Sequence, residues 1–199
     1  MLLVGVVLGS YLLGSLPFGL WIGKWLYHID LREHGSKNTG ATNAYRVLGR
    51  WPALLVFVCD TAKGMAGVYL GSLLVGGSLA GVLGGIAAIS GHNWSVFMGF
   101  KGGRGVATGL GVIALLAPKV TVIVFSVWCI IVFLTRYVSL ASIVAAALVP
   151  PLMWWLDAGT ETLLFGVAAA AFVIIRHRPN IERLLRGEEL KIKAAAKKP

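Results

Sequence analysis

The stretch VATGLGVIALLAPKVTVIVFSVWCIIVFLTR, residues 106–136, decides how this chain is built. From Val106 to Thr135 its only charge is Lys119, and it runs for about thirty residues. A helix needs about 20 apolar residues to cross the hydrocarbon core of a bilayer, within a range of roughly 17–25. The stretch is too long for one comfortable span, and Pro118-Lys119 divides it into two short ones, the second closed by Arg136-Tyr137. Dividing it also satisfies the charge pattern. A single merged span would place Arg136 and the basic C-terminal tail on the outer side, against the rule that Lys and Arg gather inside.

Working outward, five more apolar runs reach spanning length or come near it: Leu2 to Trp25, Pro52 to Val75, Ser78 to about Phe97, Leu140 to Trp155 and Leu163 to Ile175. The expected architecture is an all-α, polytopic bundle of seven transmembrane helices, with the N-terminus outside and the C-terminus cytoplasmic. With that orientation the inside segments hold Arg32, Lys37, Arg46, Arg50, Lys101, Arg104, Arg136 and the tail from about residue 176. The outside loops hold only Lys119, Asp157 and Glu161. The whole chain, 1–199, reads as one integral membrane domain.

Composition agrees. Of 199 residues, 57% are hydrophobic and 13% charged, whereas soluble domains carry about 25% charged residues. Mean hydropathy is +0.82. A net charge of +10 would suggest nucleic acid in a soluble protein. Here the cations sit between and after apolar runs, so topology explains them and no nucleic-acid partner is expected. Met1 to Gly14 lacks the basic start of a cleavable signal peptide and reads as a retained first span. Many of the 26 glycines recur at four-residue spacing, as in Gly67/Gly71, Gly81/Gly85 and Gly105/Gly109, which lets helices approach closely in lipid. Cys59 and Cys129 lie in apolar stretches and read as buried thiols. No Cys/His metal spacing appears, and no metal or cofactor is expected.

Polar side chains concentrate in three segments, all assigned to the cytoplasmic face. The first, GSKNTGATNAYR at 35–46, contains no acidic residue. Ser36, Lys37, Asn38, Thr39, Gly40, Thr42, Asn43 and Arg46 can present hydroxyls, amides, backbone N–H groups and a guanidinium to a phosphate or carboxylate. Turns favour the same residue types, so an ordinary loop leading to a helix cap is the plainer alternative. The second, FKGGRGVAT at 100–108, leads directly into a span. Glycines before a helix start let the backbone curl around an anion. The helix dipole then adds partial positive charge, and Lys101 and Arg104 add full charges. Gly102, Gly103, Gly105 and Thr108 complete that set; the Walker A spacing is absent. The third, RHRPNIER at 176–183, offers His177, able to titrate near neutral pH, and Asn180, able to orient a substrate.

Two further features stand apart. Asp60 and Lys63 lie inside the second span at i, i+3, close enough to pair. Intramembrane charges are costly and mark either a functional site or a structural ion pair. His92-Asn93 ends the third span beside the second polar segment; Asn93-Trp94-Ser95 matches a glycosylation pattern but falls on the cytoplasmic side.

Taken together, these segments resemble the bacterial membrane glycerol-3-phosphate acyltransferases that use acyl phosphate as donor, the PlsY family. GSKNTGATN with Arg46 matches the first family motif. GHNW at 91–94 with FKGGRGVAT matches the second, and HRPNI at 177–181 the third. GSLPFG at 14–19 is also similar. One departure is Arg104, where the family run carries Lys; the charge is kept but the geometry differs. The resemblance covers almost the whole chain. It implies transfer of a fatty acyl group from acyl phosphate to the 1-hydroxyl of sn-glycerol 3-phosphate, giving lysophosphatidic acid and inorganic phosphate. It further implies membrane lipids as surroundings, a monomer, and a bacterial cytoplasmic (inner) membrane location with the active site on the cytoplasmic face.

On this reading Lys101, the Gly102–Gly105 backbone and Arg104, with His92 and Thr108 beside them, hold one phosphate. Ser36, Asn38, Thr42 and Arg46 hold the other and orient the acyl carbonyl, with Lys37, Thr39, Gly40 and Asn43 in the same loop. His177 and Asn180 complete the glycerol 3-phosphate pocket. Ser36, Arg46, His177 and Asn180 are the expected catalytic residues. No residue stands out as general base, so direct attack without an acyl-enzyme is expected, a substrate phosphate oxygen taking the proton. A transporter of organic phosphates is the rival from another class. Transporter sites tend to lie near the midplane on broken helices, and only Asp60 and Lys63 point that way. A CoA-dependent acyltransferase differs only in donor.

Overall fold

The computed structural model describes residues 1–192, and every regular element among them is helical. Helix α1 spans Leu2–Ser15 and α2 spans Phe18–Trp21, continued by a π-helical turn over Ile22–Leu26. Helix α3 (Ala41–Leu48) lies in the first polar segment. Then come α4 (Arg50–Leu74), α5 (Gly77–Asn93), α6 (Val106–Leu116), α7 (Pro118–Thr135), α8 (Val138–Trp155), α9 (Thr160–Arg176) and α10 (Arg178–Leu185). Four of these are long and apolar enough to cross a membrane, the α1–α2 run counting as one, and five if the bent pair α9–α10 counts as another. Helix α6 is a shorter apolar helix.

The breaks have local causes. Proline has no N–H and disfavours helix at the residue before it; the first span accordingly breaks at Leu16-Pro17, where the sequence reads as one continuous run. The long stretch 106–135 does divide at Pro118, which takes the first turn of α7, where its missing N–H costs nothing. Arg136 ends α7 in the left-handed conformation, at φ 62.

The described chain forms two compact units, Met1–Val112 and Ile113–Ile192. In the first, α1, α4 and α5 pack against one another, and α3 packs on α4. The contact faces are built from small residues. A Cβ at Gly14 would collide with the Ala88 backbone, one at Gly67 with the Gly84 backbone, one at Gly71 with Ala80, and one at Gly91 with Tyr11. Lipid gives no hydrophobic reason for helices to associate, so close backbone approach and dispersion must hold them together. The large side chains of α4, including Leu54, Tyr69 and Leu73, face outward. A second cluster of Ile22, Leu31, Ala44, Ala53 and Val56, joined by Phe18 and Tyr45, seats α3 beside α4.

In the second unit α8 packs against α7 on one side and α9 on the other. Larger side chains do the packing there: Met153, Val149 and Phe165 are buried, while Phe133 and Trp154 lie on the outer surface. The expectation of two buried thiols fails at Cys129, which is exposed on α7; Cys59 is half-buried, and both are free. A thiol among outward-facing apolar side chains is a small hydrophobe toward lipid, and it needs no pocket.

Candidate functional site

The first polar segment is held in shape by one amide. Asn43, on the first turn of α3, is 1% exposed. Its Oδ1 accepts the Ser36 N–H at 2.8 Å, and its Nδ2 donates to the carbonyls of Asn38 (2.8 Å), His34 (3.0 Å) and Leu31 (3.1 Å). The amide is therefore engaged in folding residues 31–38 over the helix, a scaffold role in place of the ligand contact read from sequence. Asn38 Oδ1 accepts the Gly40 N–H at 2.8 Å, an Asx turn that leads into α3. Lys37 sits in the left-handed region at φ 58 and is exposed, Ser36 and Thr42 are partly exposed, and Arg46 is half-buried. Thr39 is buried where α2 crosses the loop, because Gly19 brings its backbone onto the Thr39 carbonyl, leaving no room for a Cβ.

Just before this loop, Arg32 forks onto Asp30, Nε to Oδ1 at 3.0 Å and Nη2 to Oδ2 at 2.7 Å. Lys24 reaches the same carboxylate at 3.0 Å. The Arg32 guanidinium, with Lys24, holds the Asp30 carboxyl well below the usual carboxylate range despite the opposing effect of burial.

The second segment is tied down at both ends. Ser95 Oγ donates to the Ser15 carbonyl at 2.6 Å, and Tyr11 Oη donates to the Trp94 carbonyl at 2.7 Å, so α1 holds the exit of α5. The Gly103 N–H donates to the His92 carbonyl at 3.1 Å. Gly105 enters α6 with φ +77, a conformation that suits glycine, and leaves the first N–H groups of α6 without carbonyl partners within the helix. Lys101 is exposed and Arg104 half-buried beside them. Asn93 lies against Gly105, fully buried, and neither atom of its amide has a hydrogen-bond partner among the described residues. The buried Thr108 hydroxyl is in the same state. Buried polar groups of this kind take their partner from a ligand or an ordered water.

A cavity in this unit is bordered by Ser15, Thr39, Asp60, Lys63, His92 and Met98. Asp60 and Lys63, paired in the sequence reading, are 2.9 Å apart and both buried. Residues from the first polar segment, the second span and the end of α5 thus meet at one place. Ser15 and Ser95 escaped sequence reasoning; Ser15 does fall in the GSLPFG run, the one signal that could have marked it.

The third segment belongs to the second unit. His177 follows α9 and is 2% exposed, its Nδ1 2.8 Å from the Val173 carbonyl. A carbonyl can only accept, so Nδ1 carries the proton in this contact. Asn180 is buried on the first turn of α10 and donates through Nδ2 to Glu189 Oε1 at 2.6 Å. Arg183 Nε reaches Glu189 Oε2 at 2.7 Å. Burial pushes the Glu189 carboxyl up, but the hydrogen bonds from Asn180 and Arg183 work against it, and the net shift is downward. Glu189 was missed in the sequence, although an acid within a basic tail was a visible signal.

Comparison with known proteins identifies the family. The family model for glycerol-3-phosphate acyltransferases matches residues 4–187. A glycerol-3-phosphate acyltransferase of Synechococcus sp. strain JA-2-3B'a(2-13) is 48% identical over 186 residues, covering 94% of this chain and 92% of that relative. One from Fusobacterium nucleatum is 44% identical over 186 residues, covering 92% and 95%. The crystal structure of PlsY (YgiH), an integral membrane glycerol 3-phosphate acyltransferase, in its glycerol 3-phosphate form superposes with a TM-score of 0.91 at 40% identity, over 96% of each chain. Its lysophosphatidic acid form gives 0.89 at 39% identity, over 96% of this chain and 95% of that one. This chain therefore belongs to the glycerol-3-phosphate acyltransferase family of integral membrane proteins.

Proposed function

We propose that the protein acylates the 1-hydroxyl of sn-glycerol 3-phosphate, with acyl phosphate as the donor, in the first step of phospholipid synthesis. The observation that carries this reading is the anchored glycine loop at 101–105. Its backbone is fixed by Gly103 on His92, it opens into the N-terminus of α6, and it is flanked by two cations. Such a loop suits a phosphate group, and both substrates carry one.

In the reaction the glycerol hydroxyl oxygen attacks the acyl carbonyl carbon, and the bond from that carbon to the phosphate oxygen breaks. The electron pair leaves with inorganic phosphate, and the hydroxyl proton passes to a phosphate oxygen of a bound substrate. Lys101, Arg104 and the Gly102–Gly105 backbone hold one phosphate. Ser36, Lys37, Thr42 and Arg46 bind the other and orient the carbonyl, while Asn43 and Asn38 keep their loop in shape. His177 and Asn180 serve the glycerol 3-phosphate hydroxyls. No covalent acyl-enzyme forms.

On this reading the chain crosses a bacterial inner membrane seven times, and its three polar segments lie on the cytoplasmic side. The gathering of Arg and Lys in those segments supports that orientation. The enzyme works as a monomer.

Purified protein supplied with palmitoyl phosphate and glycerol 3-phosphate should release inorganic phosphate only when both are present, and palmitoyl-CoA should not replace the donor. Activity with the CoA ester would reassign the donor. Silence with both donors in folded protein would favour an organic-phosphate transporter.

A further inference from the structure

Three ionisable side chains lie buried together in the first unit: Asp60 at 3%, Lys63 at 5% and His92 at 8% exposure. Charges at such depth persist only when paired, and they are expensive to keep. Lys63 Nζ lies 2.9 Å from Asp60 Oδ1, donates to the Leu16 carbonyl at 3.0 Å and stands 5.8 Å from the centre of the Phe18 ring. His92 Nδ1 is 3.6 Å from the same Asp60 oxygen, at ion-pair range and longer than a hydrogen bond. One carboxylate oxygen therefore faces two basic groups from two different helices.

If the pair served stability alone, it would be a poor choice, because neutral residues of similar volume often replace a buried ion pair without loss. What sets this one apart is the far side of His92. Its Nε2 faces Gly103 so closely that a Cβ there would collide with the ring, and a Cβ at Gly102 would collide with the His92 carbonyl. That carbonyl also receives the Gly103 N–H at 3.1 Å. The glycine loop thus rests on His92 through both ring and backbone, and the ring in turn is faced by Asp60.

We propose that Asp60 and Lys63 are positioning residues: Asp60 fixes the His92 ring on which the Gly102–Gly103 loop rests, Lys63 fixes Asp60, and the pair thereby sets the affinity of the loop for phosphate. The inference rests on the reading of that loop as a phosphate site. Neither Asp60 nor Lys63 needs to touch a substrate. A displacement of about an ångström at a binding group is enough to cost up to a hundredfold, and a ring freed to turn against two glycines would move them by such an amount.

Steady-state kinetics with palmitoyl phosphate and glycerol 3-phosphate test this in three variants. Lys101→Ala identifies which of the two substrates the loop holds, by the KM that rises. Asp60→Asn should raise that same KM by about tenfold, and by more than it lowers kcat. The double variant Asp60→Asn/Lys63→Met has lost both charges and should melt near the parent temperature, yet it should keep the raised KM. Unchanged KM values in Asp60→Asn, or a KM restored to the parent value in the double variant, would show a purely structural ion pair and overturn the proposal. If Lys101→Ala alters neither KM, the phosphate-loop reading itself fails, and the positioning role for phosphate falls with it.

Discussion

The two units of this chain solve the same problem, holding polar groups still at the edge of an apolar bundle, by different means. In Met1–Val112 the helices meet backbone to backbone through Gly14, Gly67, Gly71, Gly84 and Gly91. In Ile113–Ile192 they meet through side chains such as Met153 and Phe165, and the polar residues are clasped by a carboxylate, Glu189, that gathers Asn180 and Arg183. Backbone contact has no slack: a carbonyl cannot rotate away from an intruding methyl group. Side-chain contact yields by changing rotamer. Helix packing in the first unit is therefore steric, while the clasp on the polar residues of the second is electrostatic and should depend on protonation.

Substitutions can break that contrast in graded steps. The largest effect is expected at Gly84, where a Cβ would strike the Gly67 carbonyl. Gly84→Val should yield no monodisperse protein on size exclusion in detergent, a cost beyond the usual 1–3 kcal/mol or so of overpacking. A well-folded Gly84→Val protein would show that the first unit yields as the second does.

Glu189 comes next. Its folded pKa is lowered, so its contribution is fully present above the ordinary glutamate value and is lost as pH falls through the lowered native value. Glu189→Gln should lower stability by about 2 kcal/mol at neutral pH, the scale of a hydrogen bond to a charged group. Melting temperatures of variant and parent should converge as the buffer is made acid. A constant gap across pH would mean that the carboxylate charge is not what holds Asn180 and Arg183.

The smallest effect is expected at Gly166, whose added Cβ would meet the Met153 sulfur, the far part of a flexible side chain. Gly166→Ala should cost about 1 kcal/mol by thermal melting and leave a folded protein. A collapse on the scale of Gly84→Val would erase the distinction between the two kinds of packing.

Much of the fold was legible because membrane spans announce themselves by length and apolarity, and because Pro118 interrupts its stretch at a place where a helix can restart. The break at Pro17 was harder to see. Hydropathy counts a proline inside an apolar run as no interruption, and only backbone hydrogen bonding reveals that α1 stops there. Helix α3 was hidden for the opposite reason. Ala44, Val47 and Leu48 provide a buried side too short to stand out among polar neighbours. For the candidate site, residue type showed which segments could meet an anion, but not which side chains are occupied in building them. Asn43 looks like a ligand residue in sequence, and only its four short contacts show where its amide is spent. Asp60 and Lys63 were visible as a pair; that His92 is the third partner depends on the meeting of α4 and α5.

The hydrogen bond from Lys63 to the Leu16 carbonyl has a mechanical meaning. Where Pro17 interrupts the first span, the Leu16 carbonyl accepts the Phe18 N–H at 3.1 Å, a local bond that alone would leave a loose joint, able to flex as lipid pressure changes. Here an ammonium group from another helix is bolted onto that carbonyl, with an aromatic ring on its other flank. Straightening the span would strip a buried cation of one of its two short oxygen contacts. The break is thus a locked elbow, and it should keep its angle whatever the thickness of the surrounding bilayer.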